Sequence, residues 1–142
     1  MADQKLIEAL NKARARELGA IIQYMMHHYT ATGMSSPELV DQFKDTAVEE
    51  MKHAERLGER IDYLGGEPTT KPTTIQTGGD LKKMLQDNLA IENEAVAMYR
   101  DIIKLAAELG DSTTRLMMEE IMAEEEDHEN LWMTALAMPK GK

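Results

Sequence analysis

Apolar and polar positions divide the chain into four stretches in which an apolar residue recurs every three or four positions. None of the four alternates with the two-residue period of a strand. In the first stretch Leu6, Leu10, Ala13, Glu17, Ile21, Tyr24 and His28 fall on one face. In the second, Phe43, Ala47, Glu50, Ala54, Leu57, Ile61 and Leu64 do so. Leu81, Leu85, Asn88, Glu92, Val96, Tyr99 and Ile103 make the third stripe, and Met118, Ile121, Glu125, His128, Trp132 and Ala135 the fourth. The pattern predicts one all-α domain over residues 1–142, with long amphipathic helices at about 3–32, 36–64, 79–109 and 111–137. Each inward stripe carries a glutamate where an apolar residue is expected.

The breaks between stripes set the expected topology. Between the first two helices, Ser35 or Ser36 suits the N-cap and Pro37 the first helical position. Gly110 stops the third helix, and Asp111 or Ser112 caps the fourth. The middle break, from Gly65 to Gly79, contains Pro68 and Pro72, and its two glycine pairs read as hinges rather than phosphate cradles. About 13 extended residues reach roughly 43 Å, and a helix of about 28 residues is roughly 42 Å long. This linker can just run the length of a bundle, which no hairpin would need. The expectation is a four-helix bundle of up-down-down-up order, with a long crossover that leaves the second and third helices parallel.

Composition narrows the chemistry. A length of 142 residues suits a single core. With no cysteine there is no disulfide, thiolate nucleophile, iron–sulfur cluster or cysteine zinc site. A formal charge of −10 disfavours nucleic acid as a partner and favours cations. No segment is apolar enough to span a membrane, and Met1 to Lys5 lead straight into the amphipathic pattern, so the sequence reads as cytoplasmic. The 12 methionines suit a flexible core or interface.

The inward glutamates obey a repeat. The step from Glu17 to Glu50 equals the step from Glu92 to Glu125, and each second glutamate opens a Glu-x-x-His unit, completed by His53 and His128. One constant shift along the chain carries Glu17 onto Glu92, Glu50 onto Glu125 and His53 onto His128, and it also carries Tyr24 onto Tyr99. Residues three apart on a helix point the same way, so each Glu-x-x-His pair presents an oxygen and a nitrogen to one spot. The total is four carboxylates and two imidazoles facing a bundle interior, where unpaired charges would each cost several kcal/mol. Two divalent cations would balance the four carboxylates, and mixed oxygen–nitrogen ligation suits iron or manganese. A lone glutamate from each of two helices plus Glu-x-x-His from the other two is the recognised ligand set of ferritin-like di-iron and di-manganese proteins. Glu49, Glu124 and Glu126 read as solvated. Tyr24 and Tyr99 read as core residues with bonded hydroxyls, Tyr24 also being a candidate for a supporting or redox role.

At these residues the sequence resembles bacterioferritin. The segments Glu17-Leu18-Gly19-Ala20-Ile21-Ile22-Gln23-Tyr24, Glu49-Glu50-Met51-Lys52-His53-Ala54-Glu55-Arg56, Leu89-Ala90-Ile91-Glu92 and Glu124-Glu125-Glu126-Asp127-His128 look like the family's four helix motifs. The resemblance implies a ferroxidase that binds two Fe(II) ions per subunit, oxidises them with dioxygen or peroxide and stores Fe(III) inside an oligomeric cage. In that family Glu17 and Glu92 would be terminal ligands, Glu50 and Glu125 would bridge, and His53 and His128 would supply nitrogen. Met51 matches the methionine that ligates haem, one from each subunit, at a two-fold interface; a methionine simply packed at a dimer seam is the plainer alternative. The implied partners are further copies of the chain, as 12 or 24 subunits built from two-fold dimers, and an electron-donor ferredoxin.

Two departures stand out. After Met138 only Pro139-Lys140-Gly141-Lys142 remain, where typical members carry a short fifth helix at the four-fold axis. The chain is thus expected to be a short form, for which a twelve-subunit shell is a serious option. Asp45 stands where the family often has a histidine concerned with iron traffic on the inner wall. The alternatives are a non-storage di-iron peroxidase resembling rubrerythrin, whose usual Cys-x-x-Cys tail is missing, and an inert structural bundle.

Overall fold

The computed structural model describes residues 3–138; the four residues after Met138, on which the expected loss of a fifth helix rests, lie outside the described residues. Four α-helices form: α1 (Gln4–Thr30), α2 (Ser36–Tyr63), α3 (Leu81–Glu108) and α4 (Ser112–Ala135). Their ends fall one or two residues inside most of the expected limits, which is where helices fray. Three caps follow the expected chemistry. The carboxylates of Asp3, Asp80 and Asp111 accept from the backbone N–H of Lys5, Lys83 and Thr114 at 2.8, 2.9 and 3.0 Å. The α2 start differs. Ser35 holds the N-cap position without a side-chain bond, and the Ser36 hydroxyl instead donates to the Gly33 carbonyl at 2.8 Å.

The crossover lies against α1. Asn11 Nδ2 donates to the Glu67 carbonyl and Arg14 Nε to that of Thr69. Further along, Thr73 N donates to Ala15 O at 3.0 Å, and Gln76 N to Gln23 Oε1 at 2.9 Å. The linker therefore ascends α1 from its first turns toward its C-terminal half before α3 begins. That path makes α2 and α3 parallel and gives the up-down-down-up order. Gly19 permits the approach, because a Cβ there would lie 2.5 Å from Thr73 Oγ1. Gly65, Gly78 and Gly79 have φ of 88°, 83° and 83°, a backbone conformation that favours glycine.

The core is split into two apolar clusters. One gathers Leu6, Leu10, Leu57, Ile61, Tyr99 and Met118; the other gathers Tyr24, Phe43, Leu85, Leu89 and Trp132. In the second, Trp132 packs its ring 5.6 Å from that of Tyr24 and 5.4 Å from that of Phe43. Fully burying a side chain of this size contributes about 1.5–3 kcal/mol. Between the clusters lies a polar layer holding the inward glutamates. Two inward assignments fail. His27, not His28, is buried, because the true turn of α1 drifts from the assumed stripe, and Ala135, the last residue of α4, is exposed. Ile21, Leu64, Leu81 and Ile103 are half-buried.

Candidate metal centre

Glu17, Glu50, Glu92 and Glu125 come one from each helix, and all four are fully buried; His53 and His128 are nearly so. Their side chains meet in one layer. His53 Nδ1 faces oxygens of Glu50, Glu125 and Glu17 at 3.1, 3.4 and 3.5 Å. His128 Nδ1 faces Glu125, Glu50 and Glu92 at 3.1, 3.5 and 3.6 Å. Two four-residue sets result, Glu17–Glu50–His53–Glu125 and Glu50–Glu92–Glu125–His128, each with its ligand atoms within 4.8 Å of one another. Glu50 and Glu125 belong to both. The layer has a pseudo-two-fold arrangement, as the constant shift between the two halves requires.

Outside this layer the repeat continues. The Tyr99 hydroxyl donates to Glu17 at 2.7 Å and the Tyr24 hydroxyl donates to Glu92. Each tyrosine thus crosses to the lone glutamate of the other half, and Tyr99 holds the same position as Tyr24. The outer ring nitrogens are also held. His53 Nε2 bonds to Glu124 and His128 Nε2 to Glu49, whose side chains are 53% and 51% exposed. The reading of Glu49 and Glu124 as merely solvated is therefore corrected. A glutamate one position before an inward one lies at the rim, where half of it meets water and its carboxylate reaches a histidine. Fixing the outer nitrogen orients the inner one.

Arg16 was not singled out by the sequence pattern, yet its side chain enters the middle of the layer. Its Nη1 is 2.5 Å from Glu50 Oε2, bonds to Glu125 and lies 3.3 Å from Glu17; its Nη2 is 3.0 Å from Glu92. The guanidinium places a positive charge inside a buried four-carboxylate cage. The repeat hid it, because the equivalent position in the second half is Ile91, whose carbonyl accepts from Arg16 Nη2 at 3.3 Å. The one available signal was charge: four inward carboxylates demand a cation, and Arg16 adjoins one of them.

The electrostatics follow from burial and crowding. Burial pushes the Glu17 carboxyl up to about 7, and the Glu50 charge adds to this. Burial also holds Glu125 well above the usual carboxylate range, although Arg16 opposes it. Glu50 goes the other way. Burial disfavours its charge, but Arg16 and the His53 ring 3.1 Å away outweigh that and hold it well below. For both imidazoles burial favours the neutral ring, yet the surrounding carboxylates raise them well above the ordinary histidine value.

The layer passes a test of fit for metal ions. Even with Arg16 in place, Glu50 Oε1, Glu125 Oε1, Glu92 Oε2, His53 Nδ1 and His128 Nδ1 are buried without a hydrogen-bond partner. A folded interior rarely leaves such atoms orphaned, and these converge in one layer. A mixed set of carboxylate oxygens and imidazole nitrogens is what iron or manganese takes.

Known proteins share the fold. The ferritin-like domain model matches residues 7–137. Bacterioferritin of Desulfovibrio desulfuricans is 42% identical over 125 residues, covering 87% of this chain and 70% of that protein. Its structure, described as having a diiron site in different catalytic states, superposes with a TM-score of 0.89 over 94% of this chain and 78% of that one, at 39% identity. A ferritin-like diiron-carboxylate protein of Bacillus anthracis superposes with a TM-score of 0.92 at 31% identity, covering 96% and 99%. Rhodobacter capsulatus bacterioferritin, described with a metal-free dinuclear site and a haem iron in a crystallographic special position, gives 0.87 at 30% identity, covering 96% and 86%. The chain therefore belongs to the ferritin-like family and, within it, to the bacterioferritins.

Proposed function

We propose that the protein is an iron-storing ferroxidase, oxidising Fe(II) to Fe(III) with dioxygen or peroxide, and that Glu17, Glu50, His53, Glu92, Glu125 and His128 hold its two metal ions. The observation that carries this is the pair of four-residue sets sharing Glu50 and Glu125, with five orphaned ligand atoms between them. Membership of both sets suits Glu50 and Glu125 to bridging, and membership of one suits Glu17 and Glu92 to terminal ligation. Bound iron supplies the redox chemistry, each Fe(II) giving up one electron to the oxidant. The chain's residues do the rest. Four carboxylates match the charge of two divalent ions, Glu49 and Glu124 orient the imidazoles, and the tyrosine hydroxyls hold the terminal carboxylates. The apolar clusters on either side keep bulk water out of the layer. A cavity of about 820 Å³ between α2 and α4, lined in part by Asp45, Glu49, Glu124, Asp127 and His128, offers cations an acidic approach.

Metal analysis and Fe(II) oxidation assays test this. Glu50→Ala with Glu125→Ala should lose metal and activity together; unchanged metal content would refute the ligand set. Peroxide turnover without iron accumulation would instead mark a non-storage di-iron enzyme.

The haem reading rests on Met51. It is 55% exposed on α2 while its neighbour Glu50 is fully buried, so it faces away from the metal layer. Val48 on α2 and Ile22 and Met26 on α1 are also exposed apolar residues, and they suit a two-fold seam at which two Met51 side chains would take one haem. Met51→Leu should abolish haem uptake and leave the di-iron content intact. Further copies of such dimers would build a cage of 12 or 24 subunits, which native mass measurement decides, and an electron-donor ferredoxin is its expected reductant. Among the described residues no helix is long and apolar enough to cross a membrane.

A further inference from the structure

We propose that Arg16 is a built-in competitor for metal: its guanidinium closes the metal-free cradle and must leave the carboxylates before two divalent ions can bind. The proposal rests on the di-metal reading above and concerns how that site is loaded.

Position makes the first argument. Arg16 Nη1 bridges Glu50 and Glu125, the two carboxylates common to both ligand sets, and Nη2 reaches Glu92. Bridging two ions would take both oxygens of Glu50 and of Glu125; Arg16 holds Oε2 of each, and Oε1 of each is left unpaired. A guanidinium and two metal ions cannot share the Oε2 atoms. Charge makes the second. Four carboxylates neutralise two divalent ions, so a retained guanidinium would leave one buried positive charge without a counter-ion. In the metal-free protein the same guanidinium relieves the repulsion among those carboxylates, a separate and useful task. Shape makes the third. The Arg16 side chain is a wall of a cleft of about 470 Å³ between α1, α3 and the crossover, lined also by Gly19, Gln23, Thr73, Ile91 and Glu94. Its Nε makes no hydrogen bond, so only the tip anchors it. The side chain can turn outward into this cleft without moving a helix, and the exposed Glu94 lines the space it would enter. The affinity measured for metal is then the intrinsic affinity multiplied by the open fraction.

The test compares native protein with Arg16→Met, which keeps the aliphatic stem and removes the charge and donors. Titration of metal-free protein with Co(II), followed by visible absorption, reads affinity and stoichiometry; thermal unfolding reads stability. We expect Arg16→Met to bind Co(II) about tenfold more tightly or better. Its metal-free form should melt lower, and the rise in Tm on adding Co(II) should be larger. In Arg16→Ala, added methylguanidinium should compete with Co(II), because it refills the vacated position. Folded Arg16→Met with equal or weaker affinity would overturn the proposal. So would a Co(II)-loaded native structure with the guanidinium still between Glu50 and Glu125. Failure of native protein and variant alike to bind two Co(II) per chain would instead sink the di-metal reading itself.

Discussion

The hydroxyl of Tyr99 on α3 donates to the Glu17 carboxylate on α1 at 2.7 Å, inside the bundle and across its two halves. Its counterpart, Tyr24 to Glu92, is the same bond with the halves exchanged. A buried carboxylate that loses a donor pays its desolvation without compensation, at about 1–3 kcal/mol. Tyr24→Phe and Tyr99→Phe should each destabilise the metal-free protein by that amount in urea unfolding. The two losses should be similar, because both tyrosines are fully buried against equivalent acids.

Glu49 and Glu124 lie at the rim of the metal layer and grip the outer nitrogens of His128 and His53. Replacing such an orienting carboxylate typically weakens metal binding about 10- to 100-fold. Glu49→Ala and Glu124→Ala should show this loss in Co(II) titrations while unfolding at nearly native temperatures. Glu126, exposed and one position beyond Glu125, should be silent to the same change.

Metal uptake should depend on pH. Ligands must be deprotonated to bind, and burial with the Glu50 charge pushes Glu17 up to about 7. Below that value Glu17 carries a proton that metal must displace. Because the raised imidazoles must also give up protons, apparent affinity should fall with pH throughout and more steeply below about 7, by about tenfold per unit for each proton released. Calorimetry in buffers of different ionisation enthalpy counts those protons.

Gly19 is where the crossover comes closest to α1. A Cβ there would lie 2.5 Å from Thr73 Oγ1 and 3.2 Å from the Thr73 carbonyl. The helix would gain about 1 kcal/mol of propensity from alanine, but overpacking costs about 1–3 kcal/mol. Thr73 is fixed by its bond to Ala15, so overpacking should win. Gly19→Ala should lower Tm, and Thr73→Ala in the same chain should restore part of the loss.

The helices, their order and the six converging residues were legible in the sequence because two periodicities coincide. The helical stripe exposes each misplaced glutamate, and the constant shift between halves separates Glu17, Glu50, Glu92 and Glu125 from the solvated acids. Arg16 escaped because a repeat reveals only what is duplicated, and its counterpart is Ile91. The roles of Glu49 and Glu124 escaped for another reason. They lie off the inward stripe, and only the three-dimensional placement of α2 beside α4 brings each to the other half's histidine. His27 and His28 show the limit of a fixed stripe, since a one-residue drift over α1 exchanges the buried ring.

Anaerobic titration of the metal-free protein with Fe(II), followed by iron analysis after desalting, bears most directly on the di-iron centre. About two iron atoms should remain per native chain, and fewer than one when Glu50 and Glu125 are both alanine. Equal iron retention by the native and doubly substituted proteins, or none by either, would contradict it.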